Sequence, residues 1–458
     1  MTTPQRTPQQ LRDHALRIWR AGVAAVAPAR LMADWVQVDG ETLTIGDDAI
    51  PLAEMGRIVV VGGGKAGAAM AGALETTLGD DVMQRTNLAG VLSVPADCVA
   101  ATRRIDLVAG RPAGVNEPRP EGVAAVQRML SLVGDLGPRD VCLCLLSGGG
   151  SALLPAPVAG FSLADKIELT RLLSASGATI EQLNAVRREL SEIKGGGLAR
   201  ACHAGRLYSL IISDVPGDDL ATIASGPTVV RTPTPQAAIE VLHQLHVVDE
   251  PVAQRAIAVL QAAPSNAGAQ APSAGTRVQN LLIGNNAVAV DAAGIEAEKL
   301  GYSHAMISAT KPEGAAEDVA RELAKLAADM RSAAGPDCLI SGGEPTVKLA
   351  PAAVRGRGGR NQQLCLAALQ AVDDWQGLAL VSGGTDGEDG PTDAAGALVD
   401  VDVAAAAERL GLDPADYLAR SDAYSFFEQI GSLIKTGPTH TNVCDLRVIT
   451  VSQDAAAP

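Results

Sequence analysis

Three apolar runs in this chain end the same way, in a serine followed by glycines: "CLLSGGGS" at 144–151, "CLISGGEPT" at 338–346 and "ALVSGGTDG" at 379–387. A fourth, "IVVV", runs straight into "GGGKAG" at Gly62. Short β-branched runs that stop at bare backbone and lead into Ala/Leu-rich stretches read as buried strands turning into helices. Their alternation predicts parallel strands with crossover helices, an α/β layered sheet, both before and after residues 263–276. That stretch, "APSNAGAQAPSAGT", is built of small residues and reads as a linker. The expected division is therefore an α/β domain over 1–262, opening with a lead-in helix and hairpin over 1–50, and a second α/β domain over 277–458. The Ser-Gly-Gly recurrences are too unevenly spaced for a solenoid.

Composition narrows the function classes. Only 2% of the 458 residues are aromatic and the formal charge is −15, so stacking platforms and a basic face for nucleic acid are not expected. No apolar run is long enough to span a membrane, and the start has no secretory apolar core, which makes the cytoplasm the expected location. The seven cysteines sit in apolar runs and read as small core residues.

In an open parallel sheet, ligands bind outside the carboxyl ends of the strands. A glycine turn there either permits a tight strand-to-helix connection or offers unshielded N–H groups and a helix N-terminus to an anion. Gly63, Gly64, Ser147, Gly148, Gly149, Gly150, Ser151, Ser341, Gly342, Gly343 and Glu344 are candidate phosphate or substrate contacts on that logic, and Asn285 after "NLLIG" joins them. Gly62, Gly64 and Gly67 also satisfy G-x-G-x-x-G, which keeps an NAD(P)H-dependent reductase open. Lys65 inside the loop favours phosphoryl transfer instead, since a lysine over a glycine turn neutralises developing negative charge. "AVRGRGGRNQQ" brings Arg357, Arg360 and Asn361 to a second glycine loop before a helix. Carboxylates at strand ends complete the set. Asp386 and Asp389 are candidate Mg²⁺ ligands, and Asp214 after "LYSLIIS" is a candidate acceptor for a substrate hydroxyl proton.

The ordered motifs "VGGGKAG", "LSGGGSALLPAP", "LNAVRRELSEIKGGGLAR", "ISDVPGDDLATIASGPT", "GRGGRNQ", "SGGTDGEDGPTDAAGA" and "KTGPTHTNVCDL" resemble the class II glycerate kinases, glycerate 2-kinases with a C-terminal MOFRL domain. Some members of that family carry the label hydroxypyruvate reductase. The resemblance runs from about residue 10 to residue 450. It implies a Rossmann-like N-terminal domain, a MOFRL-type α/β C-terminal domain and an active site in the cleft between them. It also implies ATP- and Mg²⁺-dependent phosphorylation of D-glycerate on its 2-hydroxyl, with Lys65 and Arg360 in the positions the family regards as crucial to catalysis. Gln363 stands where relatives often have glutamate, and "KGGGLA" around Lys194 has a glycine where they often have a larger residue. The expected partners are the small substrate and a nucleotide, and a homodimer is left open.

Overall fold

The computed structural model describes residues 5–112, 114–115, 117–232, 234–262 and 275–453. Most of the expected linker, 263–274, falls outside them. The chain forms two compact units, residues 28–283 and residues 1–27 with 284–458. Among the described residues no helix is long and apolar enough to cross a membrane.

The first unit opens with an antiparallel meander of β1 (Val36–Asp39), β2 (Thr42–Ile45) and β3 (Asp48–Pro51). Its main sheet contains β4 (Ile58–Gly63), β5 (Ala89–Pro95), β6 (Ile105–Arg111), β7 (Val141–Leu146), β8 (Arg206–Ile212) and β9 (Arg277–Gly284). The strand order is β6-β5-β4-β7-β8-β9, and each of the four pairings from β6 to β8 is parallel. This is a doubly wound order whose direction of winding reverses between β4 and β7. That reversal opens a crevice at the carboxyl ends of those two strands. Both strands are buried along their whole length, which is why they read as continuous apolar runs and not as alternating ones. The helices Leu163–Ala175, Ile180–Glu189, Pro235–Gln244 and Pro251–Ala262 build a separate core around Leu169, Leu173, Val186 and Leu242.

The other unit holds β10 (His304–Ile307), β11 (Cys338–Gly343), β12 (Leu378–Gly384), β13 (Gly396–Asp400), β14 (Leu433–Ile434) and β15 (Asp445–Val451), in the order β10-β11-β15-β12-β13-β14. Only β10 and β11 pair in parallel. β15 enters antiparallel between β11 and β12, so this sheet is mixed where alternation predicted parallel strands. A strand that arrives last in the chain without a crossover helix has no need to run parallel.

Two segments sit in a different unit from the one their sequence position suggests. The helix Pro8–Ala25 buries Leu11, Ala15, Ile18 and Trp19, and the last three belong to the core of the second sheet. Its indole Nε1–H donates to the Gly383 carbonyl at 3.3 Å. Conversely β9, placed after the expected linker, lies beside β8 in the first sheet. Burial of an apolar face, not distance along the chain, decides membership.

Candidate active site

At the switch point of the first unit, the turn after β4 is stitched to the turn after β7. The Lys65 N–H donates to the Gly148 carbonyl at 2.9 Å and the Ala66 N–H to Ser147 Oγ at 3.0 Å. Gly62 and Gly64 have φ of +131° and +150°. A Cβ on Gly62 would lie 2.0 Å from the Leu145 carbonyl oxygen, and one on Gly64 2.1 Å from Ser147 Oγ. Gly62 and Gly64 of the G-x-G-x-x-G pattern are thus required by the approach of β7 and the turn after it, with no dinucleotide needed to explain them, while Gly67 faces Val94 of β5. The same contact engages Ser147, which is fully buried and holds the turn.

Lys65 is brought over Gly149, whose φ is +77°; the space of a Cβ there lies 3.6 Å from Lys65 Cγ and 3.8 Å from an Arg111 Nη. Arg111 ends β6 and is 6% exposed, its Nη1 donating to the carbonyls of Pro112 and Val115. Its Nε has no hydrogen-bond partner among the described residues. Sequence reading missed this arginine, because a single basic residue in "VAGRPAG" carries no pattern. Asp214, at the end of β8, comes so close to Gly148 that a Cβ there would stand 2.0 Å from its carboxylate. Gly148, Gly149, Lys65, Asp214 and Arg111 are therefore one cluster, two cations and a carboxylate over bare backbone, with the helix Gly67–Arg85 beginning immediately behind. Gly150 packs on Ala224, and Ser151 Oγ shares a 2.9 Å hydrogen bond with Ser225 Oγ.

In the second unit the arginine predicted from "GRGGRNQ" is ion-paired through all three of its nitrogens. Arg360 starts the helix Arg360–Ala371 and grips Asp445 with Nε at 2.7 Å and Nη2 at 3.0 Å, while Nη1 reaches Glu344 at 3.0 Å. These carboxylates outweigh the cost of burial and keep the guanidinium above its ordinary range. Asn361 donates to Asp445 at 2.9 Å and accepts from Ser382 Oγ at 2.6 Å. Asp445, completely buried, was not singled out in the sequence although it stands in "TNVCDL"; its signal was a charge opening an otherwise apolar strand.

The two carboxylates expected to hold Mg²⁺ differ in their surroundings. Asp389 is 2% exposed and both its oxygens cap the helix, accepting from the N–H groups of Asn361 at 3.0 Å and Gln362 at 2.8 Å. Burial pushes its carboxyl up to about 7 even so. Asp389 is a helix cap. Asp386 lies in the turn after β12 and accepts from the Glu388 N–H at 3.1 Å. Among the described residues no three His, Cys, Asp or Glu side chains are grouped to hold a metal.

The remaining predicted contacts have local roles. Arg357 stacks 4.4 Å above the Tyr424 ring and Asn285 caps the helix Asn286–Lys299. A Cβ on Gly342 would strike the Asn286 amide, and one on Gly343 would strike the ion pair of Glu313 with the buried Arg447. The Ser341 hydroxyl is buried without a hydrogen-bond partner among the described residues.

Comparison with known proteins agrees with this architecture. The family model described as "Domain of unknown function (DUF4147)" matches residues 14–261, and that of the MOFRL family matches residues 337–445. A glycerate kinase of Homo sapiens is 35% identical, covering 96% of this chain and 93% of the relative. A protein of Agrobacterium vitis that carries the name hydroxypyruvate reductase is 41% identical over 87% of this chain and all of the relative. The crystal structure of a Thermotoga maritima glycerate kinase superposes with a TM-score of 0.81 at 33% identity, covering 97% of this chain and 100% of that one. Two matched domains in series, on relatives spanning nearly the full length, mean that the chain belongs to the DUF4147–MOFRL family of glycerate kinases.

Proposed function

We propose that the protein transfers the γ-phosphoryl group of ATP to the 2-hydroxyl of D-glycerate, releasing ADP and 2-phosphoglycerate. The observation that carries this reading is the cluster at the β4/β7 switch point, where Lys65 and Arg111 lie over Gly149 beside the Asp214 carboxylate. Phosphoryl transfer demands little covalent help; it demands cations around three charged oxygens and an acceptor for one proton. Lys65 and Arg111 supply the charge at the glycine turn, where backbone N–H groups and a helix start add to it. Asp214 takes the proton of the 2-hydroxyl as the new O–P bond forms and the bond to ADP breaks. Arg360 has five N–H donors of which three are committed, so two remain for an anionic group. Mg²⁺ suits one carboxylate plus nucleotide oxygens, and Asp386 is the residue that would hold it, neutralising phosphate charge.

The test is incubation with D-glycerate, ATP and Mg²⁺, with the product resolved as 2- or 3-phosphoglycerate by phosphorus NMR. ADP formation dependent on glycerate is expected, and its absence ends the proposal. NADH oxidation on hydroxypyruvate without ATP would support the reductase instead. Lys65→Ala is expected to lower turnover about 100-fold or more while the fold persists, the scale at which a preorganised electrostatic group contributes.

A further inference from the structure

A cavity of about 350 Å³ lies beside Ser151, walled by the helices Leu163–Ala175 and Ile180–Glu189. That volume suits a small ligand. Its walls carry Lys166, Arg187 and Arg171 against one carboxylate, Glu117, which is already paired with Arg171. Lys166 is only 9% exposed. Among the described residues neither the Lys166 ammonium nor the Arg187 guanidinium has a hydrogen-bond or ion-pair partner. Behind the wall Lys194, fully buried, donates to the carbonyls of Ser151 at 3.1 Å and Ala224 at 3.2 Å, again with no carboxylate. Burying like charges together without a counter-ion is uphill.

The backbone here is strained as well. Ala224 and Ser225 adopt φ of +50° and +62°, a region non-glycine residues avoid. The strain holds the Ala224 carbonyl on Lys194 and places Ser225 Oγ between Ser151 Oγ and, at 3.2 Å, Asn184 Oδ1. Such strain persists where surrounding structure over-determines it, and it concentrates at binding sites.

We propose that this cavity is the carboxylate pocket for the hydroxy-acid substrate, with Lys166 and Arg187 as the charge partners of the carboxylate and Ser151 joining the pocket to the glycine turn. The proposal rests on the kinase reading for the identity of the acid, but not for the existence of the site. Desolvation, with the Arg187 charge adding to it, pushes Lys166 down to about 8, as expected of a cation awaiting an anion.

Two experiments test it. In steady-state kinetics Lys166→Met and Arg187→Met are expected to raise KM for D-glycerate about tenfold or more, far beyond any fall in kcat, with KM for ATP unchanged; that is the scale of one lost charge-assisted hydrogen bond. Lys166→Arg should recover most of the loss. A rise in KM for ATP instead would mean that the pocket takes a nucleotide phosphate, and would overturn the assignment. Calorimetry without nucleotide separates this from the kinase question: the wild type should bind D-glycerate and not glycerol, and Lys166→Met should lose the glycerate heat. If Lys166→Met binds glycerate as tightly as wild type, the pocket is wrong whatever the activity. If the wild type binds glycerate through Lys166 yet releases no ADP, the kinase reading fails and the pocket stands.

Discussion

Arg360, partly buried, and Lys166, buried, are both cations withdrawn from solvent, and the protein treats them in opposite ways. Arg360 has Asp445 on two nitrogens and Glu344 on a third. Lys166 and its neighbour Arg187 have no such partner among the described residues. A balanced cation is part of the architecture, since it orients a fork and satisfies a buried carboxylate. An unbalanced one lowers stability until a ligand supplies the missing charge, the usual trade between stability and binding.

The contrast breaks most visibly if a partner is removed from the balanced side. Asp445→Ala should destabilise its unit by about 3 kcal/mol in a urea titration, because Arg360 and the Asn361 amide lose a buried acceptor. Gly343→Ala tests the same side less directly, pushing a methyl group into Glu313–Arg447; a loss of about 1–3 kcal/mol is expected, measured the same way. On the unbalanced side the sign reverses. Lys166→Met should raise the ligand-free melting temperature by a few degrees, about 1 kcal/mol, and abolish stabilisation by D-glycerate. A fall in melting temperature would show that the ammonium is satisfied, and the contrast would collapse.

The smallest expected effect is in pH. The folded Lys166 lies near 8 and the unfolded lysine near 10.5, so between those values the unfolded chain binds more protons. Ligand-free stability should therefore gain a contribution as pH rises from about 8 towards 10.5, and Lys194, held below its ordinary value by burial and by Lys166 and Arg187, acts in the same direction. Glycerate affinity should move oppositely, weakening as pH rises past about 8, with Arg187 staying charged and Glu117 held on Arg171. Lys166→Arg should flatten both profiles, which melting curves and calorimetry across that range would record.

Much of this was legible in the amino-acid order, and the reasons differ by residue. Lys65 and Arg360 were visible because a basic residue among glycines is rare and local. Asp389 reads as a candidate metal ligand because a carboxylate among glycines has the same sequence signature whether it caps a helix or faces solvent; the N–H groups of Asn361 and Gln362 at its oxygens are visible only in the structure. Arg111 and Lys166 were invisible, since each is a lone cation in an ordinary stretch and matters through what it lacks nearby. The Ser-Gly-Gly turns have one sequence signature whether the glycines serve a tight turn or cradle an anion. At Gly343 and Gly148 the bare backbone makes room for side chains, Glu313–Arg447 and Asp214.

The amino-acid order by itself determined the α/β class, the strands that end in glycine and the two conspicuous cations, because hydrophobic period and turn chemistry are local properties of the chain. Tertiary structure alone decided that the helix Pro8–Ala25 packs on the second sheet, that β9 closes the first and that β15 runs antiparallel between β11 and β12. It also decided which charges are paired. Pairing joins residues as far apart as Arg360 and Asp445, and the low dielectric that makes a missing partner costly exists only once the core has closed around it.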